Sequence, residues 1–168
     1  MNEEKNEIMK KLIINWDLPQ GINENKETVI FKFDDNGLVD TNERGYHCEN
    51  GDVKFCLYDK RNGKVLFSMD FYKSNPKIAN LSGHKVGIKL ELLNVHVESF
   101  RKKGIASYYL EKLKDYAIRE RVDCINVMAN ANAENFKHDS KKNSLLQTEL
   151  KEFYKKRSTQ EMPIVLLG

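Results

Sequence analysis

The sequence has little with which to brace itself covalently. Its 168 residues include three cysteines, Cys48, Cys56 and Cys124, odd in number, far apart and without a C-x-x-C pair. That pattern argues against a disulfide framework or a zinc site, and for reduced thiols in a cytoplasmic protein. No apolar run approaches the roughly 20 residues that a membrane helix needs, and the start, MNEEKNE, is too acidic for a secretory leader. A membrane partner is therefore not expected. Charge of one sign is also scarce, because 28 basic residues face 25 acidic ones. The net +3 is too slight to point to nucleic acid. His47, His84, His96 and His138 make no H-x-x-x-H or Cys/His spacing, so no metal is expected. Repeats, low-complexity tracts and linkers are missing as well.

What is present suits one domain over residues 1–168, with a 40% apolar content and enough length to bury a core unaided. Ile8, Met9, Leu12, Ile13 and Trp16 recur at helical spacing and predict a helix over 2–16, stopped by Pro19 and Gly21 and readable as an appended element. Residues 27–34 alternate as a strand, and 38–51 read as an irregular polar loop. Strands over 52–59 and 64–72 flank Lys60-Arg61-Asn62-Gly63, a hairpin signal. A loop is expected over 73–84. From Lys85 the alternation runs through Val86, Ile88, Leu90 and Leu92, then changes phase to Leu93, Val95 and Val97. One slip inside a long strand is what a β-bulge produces. A strand buried on both faces would equally carry no alternation.

The strand runs into Arg101-Lys102-Lys103-Gly104-Ile105-Ala106, a basic glycine turn, and then an amphipathic helix to about Arg119 with Ile105, Tyr109, Leu113, Tyr116 and Ala117 inward. Such a turn gathers free N–H groups at the positive end of a helix dipole, a site for phosphate oxygens. A strand over 122–129 follows. The polar run 130–142 reads as a loop, Ser144 with Gln147 resembles a capping box, and Leu146, Leu150 and Phe153 mark a helix to about Arg157. A last strand covers 162–168. The strand–helix–strand unit implies parallel neighbours.

Arg101, Gly104 and Ala106, in R-x-x-G-x-A between a phase-slipping strand and a helix, resemble the acyl-CoA signature Q/R-x-x-G-x-G/A of the GNAT superfamily of N-acyltransferases. The element order from about Thr28 to Gly168 is similar to that fold. The resemblance implies an α/β (α+β) class: a mixed, mostly antiparallel central sheet with a parallel splayed strand pair and flanking helices. It implies acetyl-CoA as co-substrate, with the pyrophosphate on the amides of Lys102, Lys103, Gly104, Ile105, Ala106 and Ser107 beside Arg101. The pantetheine arm would pair with Val95, His96 and Val97. The family often has a hydrophobic residue and a proline where His96 and Glu98 stand, which leaves that register open by one residue.

The reaction implied is direct attack of a primary amine on the thioester. Tyr154 is the expected acid, since an ordinary phenol stays protonated at neutral pH, although packing beside Phe153 is its other reading. Glu91 is the expected base, with Glu98, Asp70, His96 or a water relay as alternatives. The acceptor is a small-molecule or protein amine, bound among loops 15–26, 38–51 and 73–84, where Asp34, Asp35, Asp40, Glu43 and Glu49 would attract a cation. A homodimer stays open. So do a non-catalytic acyl-CoA-binding regulatory module of the same fold and a nucleic-acid or ribosome-associated protein using Lys141, Lys142, Lys151 and Lys155 to Arg157. Glu149 and Glu152 interleave the later cations, as on a solvated helix face.

Overall fold

Alternating apolar residues in the middle of the chain build a sheet, and amphipathic helices cover one of its faces. The computed structural model describes residues 2–38, 45–74, 86–128 and 147–167. Helix α1 spans Asn2–Ile14 and a 3-10 turn follows at Gln20–Asn25. Strands β1 (Val29–Lys32), β2 (His47–Glu49), β3 (Asp52–Asp59), β4 (Lys64–Lys73) and β5 (Gly87–Val95) come next. A 3-10 turn at Glu98–Phe100 leads into helix α2 (Ile105–Arg119), then β6 (Cys124–Val127), helix α3 (Gln147–Arg157) and β7 (Ile164–Leu166). The expected capping box at Ser144 and most of the loops over 73–84 and 130–142 lie outside the described residues. Among those described, no helix is long and apolar enough to cross a membrane.

Strand order is β1-β3-β4-β5-β6-β7, with β2 also paired to β3. The pairs from β1 through β5 are antiparallel and those of β5 with β6 and β6 with β7 are parallel. This is the predicted mixed α/β class. Strand β2 corrects the expectation of an irregular loop over 38–51. Asn50 and Gly51 both take positive φ and join Glu49 directly to its partner Asp52. Two such residues make the tight hairpin that Asn-Gly favours, so the signal stood in the sequence beside a strand only three residues long.

One large core packs against the face carrying Val53, Phe55 and Leu57 of β3 and Phe67, Met69 and Phe71 of β4. Helix α1 is part of it: Ile13 is fully buried, and the Trp16 ring stacks on Phe71 and meets Phe55 edge-on. Helix α2 inserts Tyr109 between them, 4.9 Å from the Phe67 ring and 6.0 Å from Phe55. The Tyr109 hydroxyl donates to the Asp17 carbonyl at 2.8 Å and that of Tyr108 to the Trp16 carbonyl, which ties the end of α1 to α2. All three cysteines are buried free thiols, and burial pushes Cys56 up to about 12, far from reactive.

Phe55 touches the rings of Trp16, Phe31, Phe33, Phe67 and Tyr109. Phe55→Ala should therefore destabilise the fold by about 3–5 kcal/mol, read as a lower midpoint in chemical denaturation. A loss under ~1 kcal/mol would contradict this packing.

Candidate functional site

The phase change in β5 is a bulge. Cα partners run Val95↔Phe67, Asn94↔Ser68, Leu93↔Met69 and Leu92↔Asp70, then jump to Leu90↔Phe71. Glu91 is the extra residue. Ile88, Leu90, Leu93 and Val95 thereby share the core side of the strand, while Leu92 and Asn94 join Asp70 and Ser68 on the far side. The parallel pairing with β6 ends at Leu90↔Val127. Past the bulge β5 continues for five residues, Glu91 to Val95, beside β4 alone among the described residues.

Which backbone groups face that side follows from the ladder. The His96 N–H donates to the Leu66 carbonyl at 2.9 Å. Antiparallel pairs alternate between bonded and unbonded, so residues 92, 94 and 96 bond to β4, and Leu93 and Val95 turn their N–H and C=O toward β6. The edge an extended arm could join therefore begins at Leu93. It does not include His96, which corrects the expected span of Val95, His96 and Val97. His96 is occupied twice more: its ring bonds Ser68, and its carbonyl accepts Arg101 Nη2 at 3.4 Å. Val97 is half-buried, and its carbonyl accepts the Phe100 N–H.

The turn at the end of β5 is built as its residues dictate. Lys102 (φ +62°) and Gly104 (φ +81°) are both left-handed, and Gly104 is the N-cap of α2. Nothing lies within 4 Å of where a Gly104 Cβ would stand, so only the backbone conformation demands glycine there. No side chain caps the helix, and its first internal bond is Tyr108 N–H to the Gly104 carbonyl. The N–H groups of Gly104, Ile105, Ala106 and Ser107 thus lack helical acceptors. Lys102 and Lys103 are exposed, but Arg101 is buried. Its Nε donates to the Val95 carbonyl at 2.9 Å, so its charge braces the strand end instead of standing free for a polyanion. Gly21 packs beneath this turn, where a Cβ would meet the Lys103 carbonyl at 3.0 Å. Alongside runs a cleft of about 570 Å³ whose lining includes Arg61, Lys64, Lys103, Val97 and Phe100 and, among the described residues, no carboxylate.

Tyr154 lies on α3 and is buried in the main core, its ring 5.1 Å from that of Phe153. Burial raises its phenol well above the ordinary value, and the hydroxyl has no partner among the described residues. It stays protonated at any physiological pH. Glu91, by contrast, is exposed and 3.4 Å from Lys89 Nζ. Glu98 sits in the 3-10 turn, its carbonyl accepting the Arg101 N–H.

Opposite the helices, the far face of the sheet holds polar groups that linear spacing scatters. Ser68 is fully buried and its Oγ lies 2.7 Å from both the Tyr46 hydroxyl and His96 Nε2. The Asn94 amide nitrogen stands 3.2 Å from His96 Nδ1. An amide nitrogen only donates, so Nδ1 accepts and Nε2 carries the proton to Ser68. In that arrangement His96 ties Ser68 of β4 to Asn94 of β5. One step along, donor atoms of His47, Asp52 and Asp70 all lie within 4.8 Å of one another, a group able to hold a cation. Burial pushes the Asp70 carboxyl up to about 6, against Lys54 opposite it and His47 and with help from Asp52 and Glu91. Burial pulls the His47 imidazole down. The Asp52 carboxylate and Gly45 carbonyl on its two nitrogens, with Asp70, more than offset that, so its pKa is raised. The cue missed in the sequence was Ser68 and Asp70 alternating with Phe67, Met69 and Phe71: polar residues facing away from the helices.

No protein-family profile matches the chain, and no curated protein matches it. Among solved structures, the crystal structure of an aminoglycoside acetyltransferase from an uncultured soil metagenomic sample is similar at a TM-score of 0.38 and 20% identity. The match covers 51% of this chain and 51% of that one, so the chain spans about half the length of the structure it matches. A likeness that loose carries no argument about activity. The geometry of the chain itself must.

A carboxyl whose folded pKa exceeds its unfolded value binds more protons when folded, so stability falls as pH rises through the interval between them. For Asp70 that interval runs from the ordinary ~3.9 to about 6. His47 acts higher: the stability it adds below ~6.5 is lost as pH rises through its raised folded value. Asp70→Asn should abolish the decline between about pH 4 and 6, seen by comparing melting temperatures of the two proteins across that range. Parallel curves would show that Asp70 is not desolvated.

Proposed function

We propose that the chain is an N-acetyltransferase that moves an acetyl group from acetyl-CoA to a primary amine. The observation that carries this reading is the edge of β5: among the described residues its pairing with β6 ends before the bulge at Glu91, and its far end runs into a turn whose leading amides have no side-chain cap. The residues fit the co-substrate. Diphosphate oxygens would accept from the N–H groups of Gly104 to Ser107, where Gly104 puts no Cβ in the way. An amide-bearing arm would pair with Leu93 and with the Val95 N–H as an added strand does, the Val95 carbonyl being taken by Arg101. Acetyl-CoA, when bound, supplies the acyl group as a thioester.

The chain's own groups would then do three things. The Leu93 N–H, turned into the gap, polarises a carbonyl and stabilises the oxyanion. Tyr154, held protonated by burial, donates to the departing thiolate. Asp70, with its pKa of about 6, takes the proton of the attacking amine, directly or through water. Asp70 suits that role better than Glu91, whose carboxylate is exposed and paired with Lys89. Tyr154 belongs to the helix-side core and Asp70 to the opposite face, so in this reading acid and base approach the reacting centre from two sides.

The test is calorimetry with acetyl-CoA followed by thiol release across a panel of amines. Binding is expected, with turnover that rises through about pH 6, loses that limb in Asp70→Asn and drops roughly 10²-fold or more in Tyr154→Phe. No heat and no thiol would refute the proposal. Binding without turnover on any amine would instead favour a non-catalytic acyl-CoA-binding module.

A further inference from the structure

Helix α3 ends in a clasp that neither the anion site nor the packing of Tyr154 accounts for. Arg157 is three residues past Tyr154 and reaches across to α2. Its Nη2 donates to Ser107 Oγ at 2.6 Å, its Nη1 to the Phe153 carbonyl at 2.9 Å, and its guanidinium lies 3.9 Å over the Phe153 ring. The Arg157 carbonyl in turn accepts Lys114 Nζ at 2.6 Å, and Lys114 is buried. The last turn of α3 is thus fastened to α2 at two points seven residues apart. One of them, Ser107, is in the first turn of α2, where the uncapped amides stand.

This matters because, among the described residues, the Tyr154 hydroxyl has no partner of its own, and what holds its ring is packing and the place where α3 ends. The bonds to Arg157 also leave Ser107 with its own O–H proton to donate. Arg157 donates to that oxygen, so the hydroxyl hydrogen points elsewhere, on the residue that carries the last of the four leading amides. We propose that Arg157 is a positioning residue: it locks α3 to the anion-binding turn of α2, so that an anion on the α2 amides and the Tyr154 hydroxyl keep one fixed relation. Its consequence for turnover rests on the acetyl-transfer reading, but its geometry does not. A lysine could still reach the Phe153 carbonyl as a helix cap, yet it lacks the fork that bonds Phe153 and Ser107 together.

The experiment uses the full chain labelled with 3-fluorotyrosine, the Tyr154 fluorine resonance being assigned by its loss in Tyr154→Phe. Spectra of the parent protein, Arg157→Ala, Arg157→Lys and Ser107→Ala are compared with and without inorganic pyrophosphate. One narrow Tyr154 line that moves on adding pyrophosphate is expected for the parent. In the three variants it should broaden or split and no longer follow the anion. Ser107→Ala removes a single oxygen and keeps the question answerable where the larger truncation unfolds. An unchanged line and response in Ser107→Ala and Arg157→Lys would overturn the clasp. A parent line indifferent to pyrophosphate would count against the proposed cofactor site, while the line shapes of the variants still decide the clasp. With a turnover assay, Arg157→Ala should lower kcat roughly 10- to 100-fold with the KM for acetyl-CoA nearly unchanged. In a Tyr154→Phe background it should cost almost nothing more. Losses that simply multiply would show that Arg157 acts on the fold at large and refute its action through Tyr154.

Discussion

A strand has two edges, and each of its backbone groups must find a partner on one of them. In β5 a single extra residue, Glu91, changes how that requirement is met. Up to Leu90 the strand is paired on both sides. Beyond the bulge it keeps β4, and among the described residues no strand pairs with the other edge, toward which Leu93 and Val95 turn their donors and acceptors. Arg101 answers for one of them by bonding the Val95 carbonyl. The arginine of the R-x-x-G-x-A run is therefore part of the strand's own closure, and it is the leading amides and the exposed Lys102 and Lys103 that stand toward solvent at the turn.

Helices on one face set the other terms. Tyr108 and Tyr109 fasten α2 to the end of α1, Gly21 seats the following turn under Lys103, and Arg157 with Lys114 fastens α3 to α2. The start of α2 is held from both sides by contacts that, among the described residues, leave its leading amides without an acceptor. The same holds for Tyr154, whose ring is buried and whose hydroxyl finds no partner among the described residues.

The far face is organised differently. Its centre carries no helix from α1 or α2, and its polar groups answer one another: Tyr46, Ser68, His96 and Asn94 in one chain, His47, Asp52 and Asp70 in another group. The stretch of β5 past the bulge has the apolar core on one side, through Leu93 and Val95, and this polar face on the other, through Asn94. That is a better reason to look there for chemistry than the six-residue motif taken alone.

Much of this was legible in the chain. Period-two apolar runs placed β3, β4 and β5 within a residue or two, the phase change between Leu90 and Leu93 announced the bulge, and Gly104 marked the turn. These are local properties: alternation, turn chemistry and helix starts are written in neighbouring residues. The hairpin at Asn50-Gly51 was written there too, but a three-residue strand gives alternation too little length to register. Asp70 beside His47, Arg157 on Ser107, and Arg101 folded back on Val95 were not legible, because each joins residues from different elements or depends on which way a side chain turns once the strands are in register. Sequence alone determined the elements, their order and the place where a strand must distort. Only the tertiary structure decided which charges are free and which are already bonded, because burial and partnership depend on what distant parts of the chain bring alongside.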